Sequence, residues 1–146
     1  MAEGSWEMDR EVLAANEAFY RAFTTQDFDG MDKLWASSAA VTCIHPGWNA
    51  VRGREPVMAS WQSILSNPEA PKISSANVTV HILGSAAYVI CEEHLRGTVL
   101  IATNVFVREG GEWKMTHHQA GHLLAARVPV PPPEEVPPPA GDRGVN

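Results

Sequence analysis

The chain has 146 residues, 45% hydrophobic and 19% charged, proportions that fit one soluble globular domain with room for a substantial core. A formal net charge of −6, with no run of basic residues, argues against nucleic acid as a partner, because phosphates demand clustered lysine and arginine. No stretch reaches the roughly 20 apolar residues of a membrane span, and the acidic opening "MAEGSWEMDREV" is unlike a signal peptide, so a cytoplasmic location is expected.

Residues 1–7 read as a loose leader. From Met8 the apolar positions Met8, Val12, Ala15, Phe19, Ala22 and Phe23 keep the three-to-four spacing of an amphipathic helix. Asp27 suits the cap of a short second helix with Met31, Leu34 and Trp35 on one face. Residues 39–46 read as the first strand and 47–53 as a loop. A third helix is predicted from about Arg54, with Pro56 tolerated in its first turn and a stripe of Val57, Trp61, Ile64 and Leu65.

After "PEAPK" the period changes: Val78, Val80 and Ile82 alternate with Thr79 and His81. Strands follow over 86–96, 98–108 and 113–123, separated by Leu83-Gly84-Ser85, Gly97 and Glu109-Gly110-Gly111-Glu112. Helix, helix, strand, helix and then four strands predict an α+β fold with a largely antiparallel sheet. Val99, Ile101, Val105 and Val107 share one side of a strand and Leu100, Ala102 and Phe106 the other. Helices can cover only one face, so the second apolar face is expected to meet another copy of the chain, giving a homodimer.

From Val128 the sequence "VPVPPPEEVPPPAGDRGVN" carries seven of the eleven prolines and no periodic apolar pattern. One domain over 1–127 and a Pro-rich disordered tail over 128–146 are expected, with a docking peptide as the other reading of the tail. Cys43 and Cys91 stand alone in strand-like runs and read as buried, reduced thiols.

One short string points to chemistry. In "TCIHPGW" a strand-like run stops on His45, held before Pro46. The residue before a proline is driven to extended geometry, so His45 is expected to end the strand, aimed in one direction. Its neutral imidazole, with an ordinary pKa near ~6.5, can accept a proton near neutral pH.

"FDGMDKLWASSAAVTCIHPGW", "VRGREPVMASWQSIL" and "ATNVFVREGGEWKMTHH" resemble the nuclear-transport-factor-2-like superfamily, and within it the SnoaL-like and ketosteroid-isomerase-like branch. The resemblance runs from about Met8 to Leu123. It implies a cone-shaped roll, a curved and mainly antiparallel sheet wrapped around three N-terminal helices. A pocket at the open end and dimers packed through the outer sheet face are implied as well.

In ketosteroid isomerases an aspartate that moves a proton between carbons stands where this chain has His45. By the same resemblance Glu93 rather than Glu92, and His118 rather than His117, face the pocket, His118 together with Thr116 and Ala120. Strand alternation puts Asn104 in the inward row, where a buried amide must find a partner. His45, Asn104, Glu93 and His118 are thus the candidate catalytic residues, with Tyr20, Trp48, Trp61, Cys91 and Phe106 as ligand contacts. Two departures from the family pattern matter. Where the isomerases carry a helix tyrosine this chain has Phe19, with Tyr20 next to it. Their protonated aspartate is replaced by Thr103 or Asn104, so steroid isomerisation itself is not expected.

No metal set with ligand spacing is present and no cofactor is called for. Three functions fit: acid–base catalysis (isomerase, dehydratase or cyclase) on a small hydrophobic carbonyl compound, non-catalytic binding of a small hydrophobic molecule, or a dimeric assembly module.

Overall fold

A computed structural model describes residues 2–124, so the expected tail over 128–146 lies outside the described residues. The elements are α1 (Ala2–Thr24), α2 (Phe28–Leu34), β1 (Thr42–Ile44), β2 (Val51–Arg52), α3 (Arg54–Leu65), β3 (Ser74–Leu83), β4 (Ala86–Leu95), β5 (Thr98–Glu109) and β6 (Glu112–His122). The strands form one sheet in the order β2-β1-β6-β5-β4-β3. Every pairing is antiparallel except β1 with β6, which is parallel. This is the expected α+β roll, a curved sheet packed on its helices.

The helix α1 begins at Ala2, which corrects the reading of 1–7 as a leader. Its first turns mix Ala2, Glu3 and Glu7 with the weaker helix formers Gly4 and Ser5 and show no apolar stripe, so periodicity alone could not find them. Further along, Val12, Asn16, Phe19 and Tyr20 are buried against the sheet. Asp27 caps α2 as expected, its carboxylate accepting from the Gly30 N–H at 3.0 Å.

The strand expected over 39–46 contracts to Thr42–Ile44. The residues before it are held another way: the N–H groups of Ser37, Ser38 and Ala39 all donate to the Glu109 carboxylate at the end of β5. Those bonds keep the Glu109 carboxyl below its usual range. The expected loop over 47–53 contains β2, paired with β1 through Thr42↔Arg52 and Cys43↔Val51.

Two bulges set the sheet's curvature. In β3 the register slips between Ala76 and Thr79, and Asn77 takes a left-handed φ of 52°, which asparagine tolerates better than most residues. In β6 the pairing passes from Val105↔His117 to Phe106↔Met115, leaving Thr116 as the extra residue. The bulge lets Trp113 and Met115 before it, and His118 and Ala120 after it, all face inward. Thr116, expected inward, instead donates its hydroxyl to the Ala40 carbonyl.

Fully buried Val12, Phe19, Met31, Trp35, Trp61, Phe106 and Met115 form the centre of the core. Each large apolar side chain so buried contributes roughly 1.5–3 kcal/mol. Residues 99, 101, 103, 105 and 107 of β5 face away from the helices and are half-buried or exposed, Ile101 at 38%.

Candidate functional site

The chain leaves β1 through a tight turn, His45-Pro46-Gly47-Trp48. The Trp48 N–H donates to the His45 carbonyl at 2.8 Å, and Gly47 takes a φ of 83°. Proline followed by a left-handed glycine is the signature of a type II turn. The turn folds the Trp48 indole onto the His45 imidazole, edge to face at 4.6 Å between ring centres. Trp61 of α3 meets the same imidazole from another side at 4.8 Å.

His45 is 3% exposed, and burial pushes its pKa down to about 4, so it is neutral at neutral pH. Its Nε2 lies 2.9 Å from the Ser60 hydroxyl, which itself donates to the Val57 carbonyl at 2.7 Å. With the one serine proton committed, His45 must donate from Nε2, and Nδ1 keeps its lone pair. Cys43 lies beneath, its Sγ 3.6 Å from Nε2. Burial pushes that thiol up to about 12, so it is not a nucleophile.

A second group of polar side chains is built across β4, β5, β6 and α1. Asn104 stands opposite His118 in the β5–β6 register, and its Oδ1 lies 2.6 Å from His118 Nδ1. Amide oxygen only accepts, so His118 carries its proton on Nδ1 and turns the Nε2 lone pair the other way. Across the small side chains of Cys91, Ala102 and Ala120, that Nε2 faces Glu93 Oε2 at 3.8 Å. The Tyr20 hydroxyl closes the ring. It donates to Glu93 Oε2 at 2.6 Å and accepts from Asn104 Nδ2 at 3.1 Å. Asn104 Nδ2 also donates to Asn16 Oδ1 at 2.8 Å.

Both members of the Glu93–His118 pair are 2% exposed. Burial pushes the Glu93 carboxyl up to about 7, against the opposing effect of the Tyr20 hydrogen bond. Burial likewise pushes His118 down to about 3. The site therefore prefers a neutral acid beside a neutral base, with Glu93 poised to give or take a proton near pH 7.

His45, Glu93 and His118 reach one cavity of about 190 Å³. Trp48, Trp61, Phe23, Ile64 and Leu100 supply most of its apolar wall. Its size is near that of a cavity that holds a single aromatic ring, and far below what a four-ring steroid needs. Trp48, 47% exposed, stands at the cavity's edge with its outer side in solvent.

The model of the SnoaL-like domain matches residues 12–124. The chain belongs to this family. Among solved structures the SnoaL-like domain is similar to a Streptomyces avermitilis protein of the NTF2-like family, proposed to be a dehydratase. The two are 33% identical with a TM-score of 0.76, over 82% of this chain and 98% of that one. It is also similar to a Thiobacillus denitrificans protein proposed to be a calcium/calmodulin-dependent protein kinase type II association domain. There the identity is 32% and the TM-score 0.68, over 75% and 93% of the two chains. Among curated proteins it matches the F-box protein SKIP8 of Arabidopsis thaliana, 28% identical over 117 residues. The chain spans about half, 51%, of that relative's length.

Within the SnoaL-like domain the nine candidate residues fall into three groups. His45, Glu93, His118, Trp48 and Trp61 line the cavity. Asn104 and Tyr20 stand behind the wall and orient His118 and Glu93. Cys91 and Phe106, expected as ligand contacts, are in the core away from the cavity wall, Cys91 against the Tyr20 hydroxyl at 3.4 Å. Glu92 points outward to His94 at 2.9 Å. His117 stays on the outer side, bonded to the Thr42 hydroxyl at 2.6 Å. Sequence reasoning missed Ser60 and Asn16. Ser60 carried a usable signal: a polar residue within the buried stripe of α3, one position before Trp61.

Proposed function

We propose that the domain is an acid–base enzyme that dehydrates a small, largely apolar β-hydroxy carbonyl compound with its own side chains. One observation carries the reading: three buried ionisable groups, His45, Glu93 and His118, converge on a single small apolar cavity. Similarity to the Streptomyces avermitilis protein proposed as a dehydratase supports it. His45, neutral and with an unprotonated ring nitrogen, takes the proton from the carbon next to the carbonyl, and the electron pair moves onto the carbonyl oxygen. The negative charge developing beside the new imidazolium raises its hold on the proton. Glu93 then gives its proton to the β-hydroxyl. The C–O bond breaks, water leaves, and a carbon–carbon double bond forms. His118 and Tyr20 keep Glu93 in place and set how readily it parts with its proton. Tyr20 donates to Glu93 and does not line the cavity, so the steroid-isomerase arrangement, in which the helix tyrosine meets the substrate oxygen, is not repeated.

The test is 4-hydroxy-2-octanone, followed by ultraviolet absorbance of the enone product. The protein should accelerate dehydration over buffer, and His45→Ala should lower the rate by about 10²–10⁴. Activity should also fall above about pH 7, where Glu93 loses its proton. No acceleration over buffer, or an unaffected His45→Ala rate, would refute the assignment.

A second copy of the chain is the partner we propose for the outer sheet face, where Ile90 and Ile101 are 36% and 38% exposed among half-buried valines. Similarity to the proposed kinase association domain favours such an assembly role alongside catalysis. A cytoplasmic setting suits the two free, buried thiols.

A further inference from the structure

The cavity of about 190 Å³ is smaller than most ligand sites, which span roughly 300–1,000 Å³. It does not stand alone. An open groove of about 510 Å³, lined by residues 68–72 and Arg96, meets it at Pro71, which belongs to both walls. Lys72 lies between two cavity-wall residues, Pro71 and Ile73, and Arg96 directly follows a third, Leu95. The backbone carrying Lys72 is fixed. The Thr24 hydroxyl donates to the Ile73 carbonyl at 2.7 Å and accepts from the Ile73 N–H at 3.0 Å. The Lys72 ammonium donates to the Thr24 carbonyl at 3.1 Å, at the end of α1. Neither cation pairs with a carboxylate among the described residues. Glu69 is the groove's one acidic side chain and it is exposed. A chain with a net charge of −6 thus sets two cations in the groove that adjoins its apolar cavity at Pro71.

We propose that Lys72 and Arg96 hold the anionic end of the substrate, a carboxylate, while its apolar body and reacting carbonyl enter the cavity. This rests on the cavity's being the working site and narrows its substrate to a compound with charge at the far end from the carbonyl. From Glu93 to Leu95, the last residue of β4, the chain advances two residues, roughly 7 Å, and Arg96 follows in the turn, so several methylenes separate the two ends. Arginine and lysine both suit a carboxylate, and partial solvation there keeps the desolvation penalty small.

The probes are 7-oxooctanoate and 2-octanone, which share the methyl ketone and differ in the terminal carboxylate. Binding is read from the fluorescence of Trp48 and Trp61 on the cavity wall. The carboxylate should tighten binding about tenfold, equivalent to about 1.4 kcal/mol, and the gap should shrink in high salt. A Lys72→Gln/Arg96→Gln double variant, altered only at exposed positions, should bind both probes with the affinity of 2-octanone. Retention of the gap in Lys72→Arg supports a role for charge. Equal binding of both probes to the unaltered protein, or a gap that survives the double variant, overturns the assignment while leaving the cavity reading standing. Failure of both probes to bind overturns the two together.

Discussion

Replacing Glu93 by glutamine should stabilise the protein, and only above the pH at which the buried carboxyl is forced to ionise. In the fold that carboxyl is held at about 7, against an ordinary 4.5. Between those values the native state keeps a proton that the unfolded chain has released. The stability Glu93 contributes is therefore fully present below about pH 4.5 and lost as the pH rises through about 7. At 1.36 kcal/mol per pH unit the loss totals roughly 3 kcal/mol. Glutamine has the same shape and no proton to lose. Its amide oxygen can accept from Tyr20, and its N–H can point at the His118 Nε2 lone pair. His45 and His118, both held below their ordinary pKa, destabilise the fold as the pH falls below about 6.5, but they do so in both proteins. Urea unfolding of the two proteins at pH 5 and pH 8, followed by tryptophan fluorescence, isolates the carboxyl. The variant's advantage should grow by about 2–3 kcal/mol between the two conditions. A difference that stays constant, or moves against the variant as the pH rises, would refute the reasoning. It would mean that Glu93 is stabilised as an anion, most simply by a protonated His118.

Asn104→Leu strips the acceptor from His118 Nδ1–H and the donor from both Tyr20 and Asn16. A loss at the upper end of about 1–3 kcal/mol is expected, because the stranded groups are buried; thermal unfolding reads it, and a change under 0.5 kcal/mol would show the ring to be dispensable. Val105→Glu, on the outer face opposite His117, should convert a dimer to a monomer with unchanged circular dichroism. Sedimentation velocity giving the same mass for both proteins would remove the case for that interface.

Much of the fold was legible because β4 and β5 keep their alternation without a break. The inward row of Leu100, Ala102, Asn104 and Phe106 follows directly from the side-chain period of two. The short elements were not: β1 and β2 hold three and two residues, too few to impose a period, and they exist through pairing with β6 and with each other. At the site, His45 was visible because Pro46-Gly47 is strong turn chemistry. Glu93 and His118 needed the parity of their strands as well as family resemblance. Cys91 and Phe106 share that inward parity, yet facing inward does not decide whether a side chain meets the cavity or the solid core. That depends on how far along the sheet the helices close over it, which strand periodicity does not encode.

Thr116 makes shape and chemistry separable in β6. As the surplus residue of the bulge, it could be deleted without turning any neighbour over. Met115 would still point in, His117 out and His118 in. The bend it imposes would go, while the ladder that joins β6 to β1 at residues 117–119 would carry the turn with His45 to a new angle. A one-residue change of length at this point would leave the list of side chains around the cavity intact and alter the volume they enclose. Relatives could thus exchange one size of substrate for another while keeping the same acid and the same base.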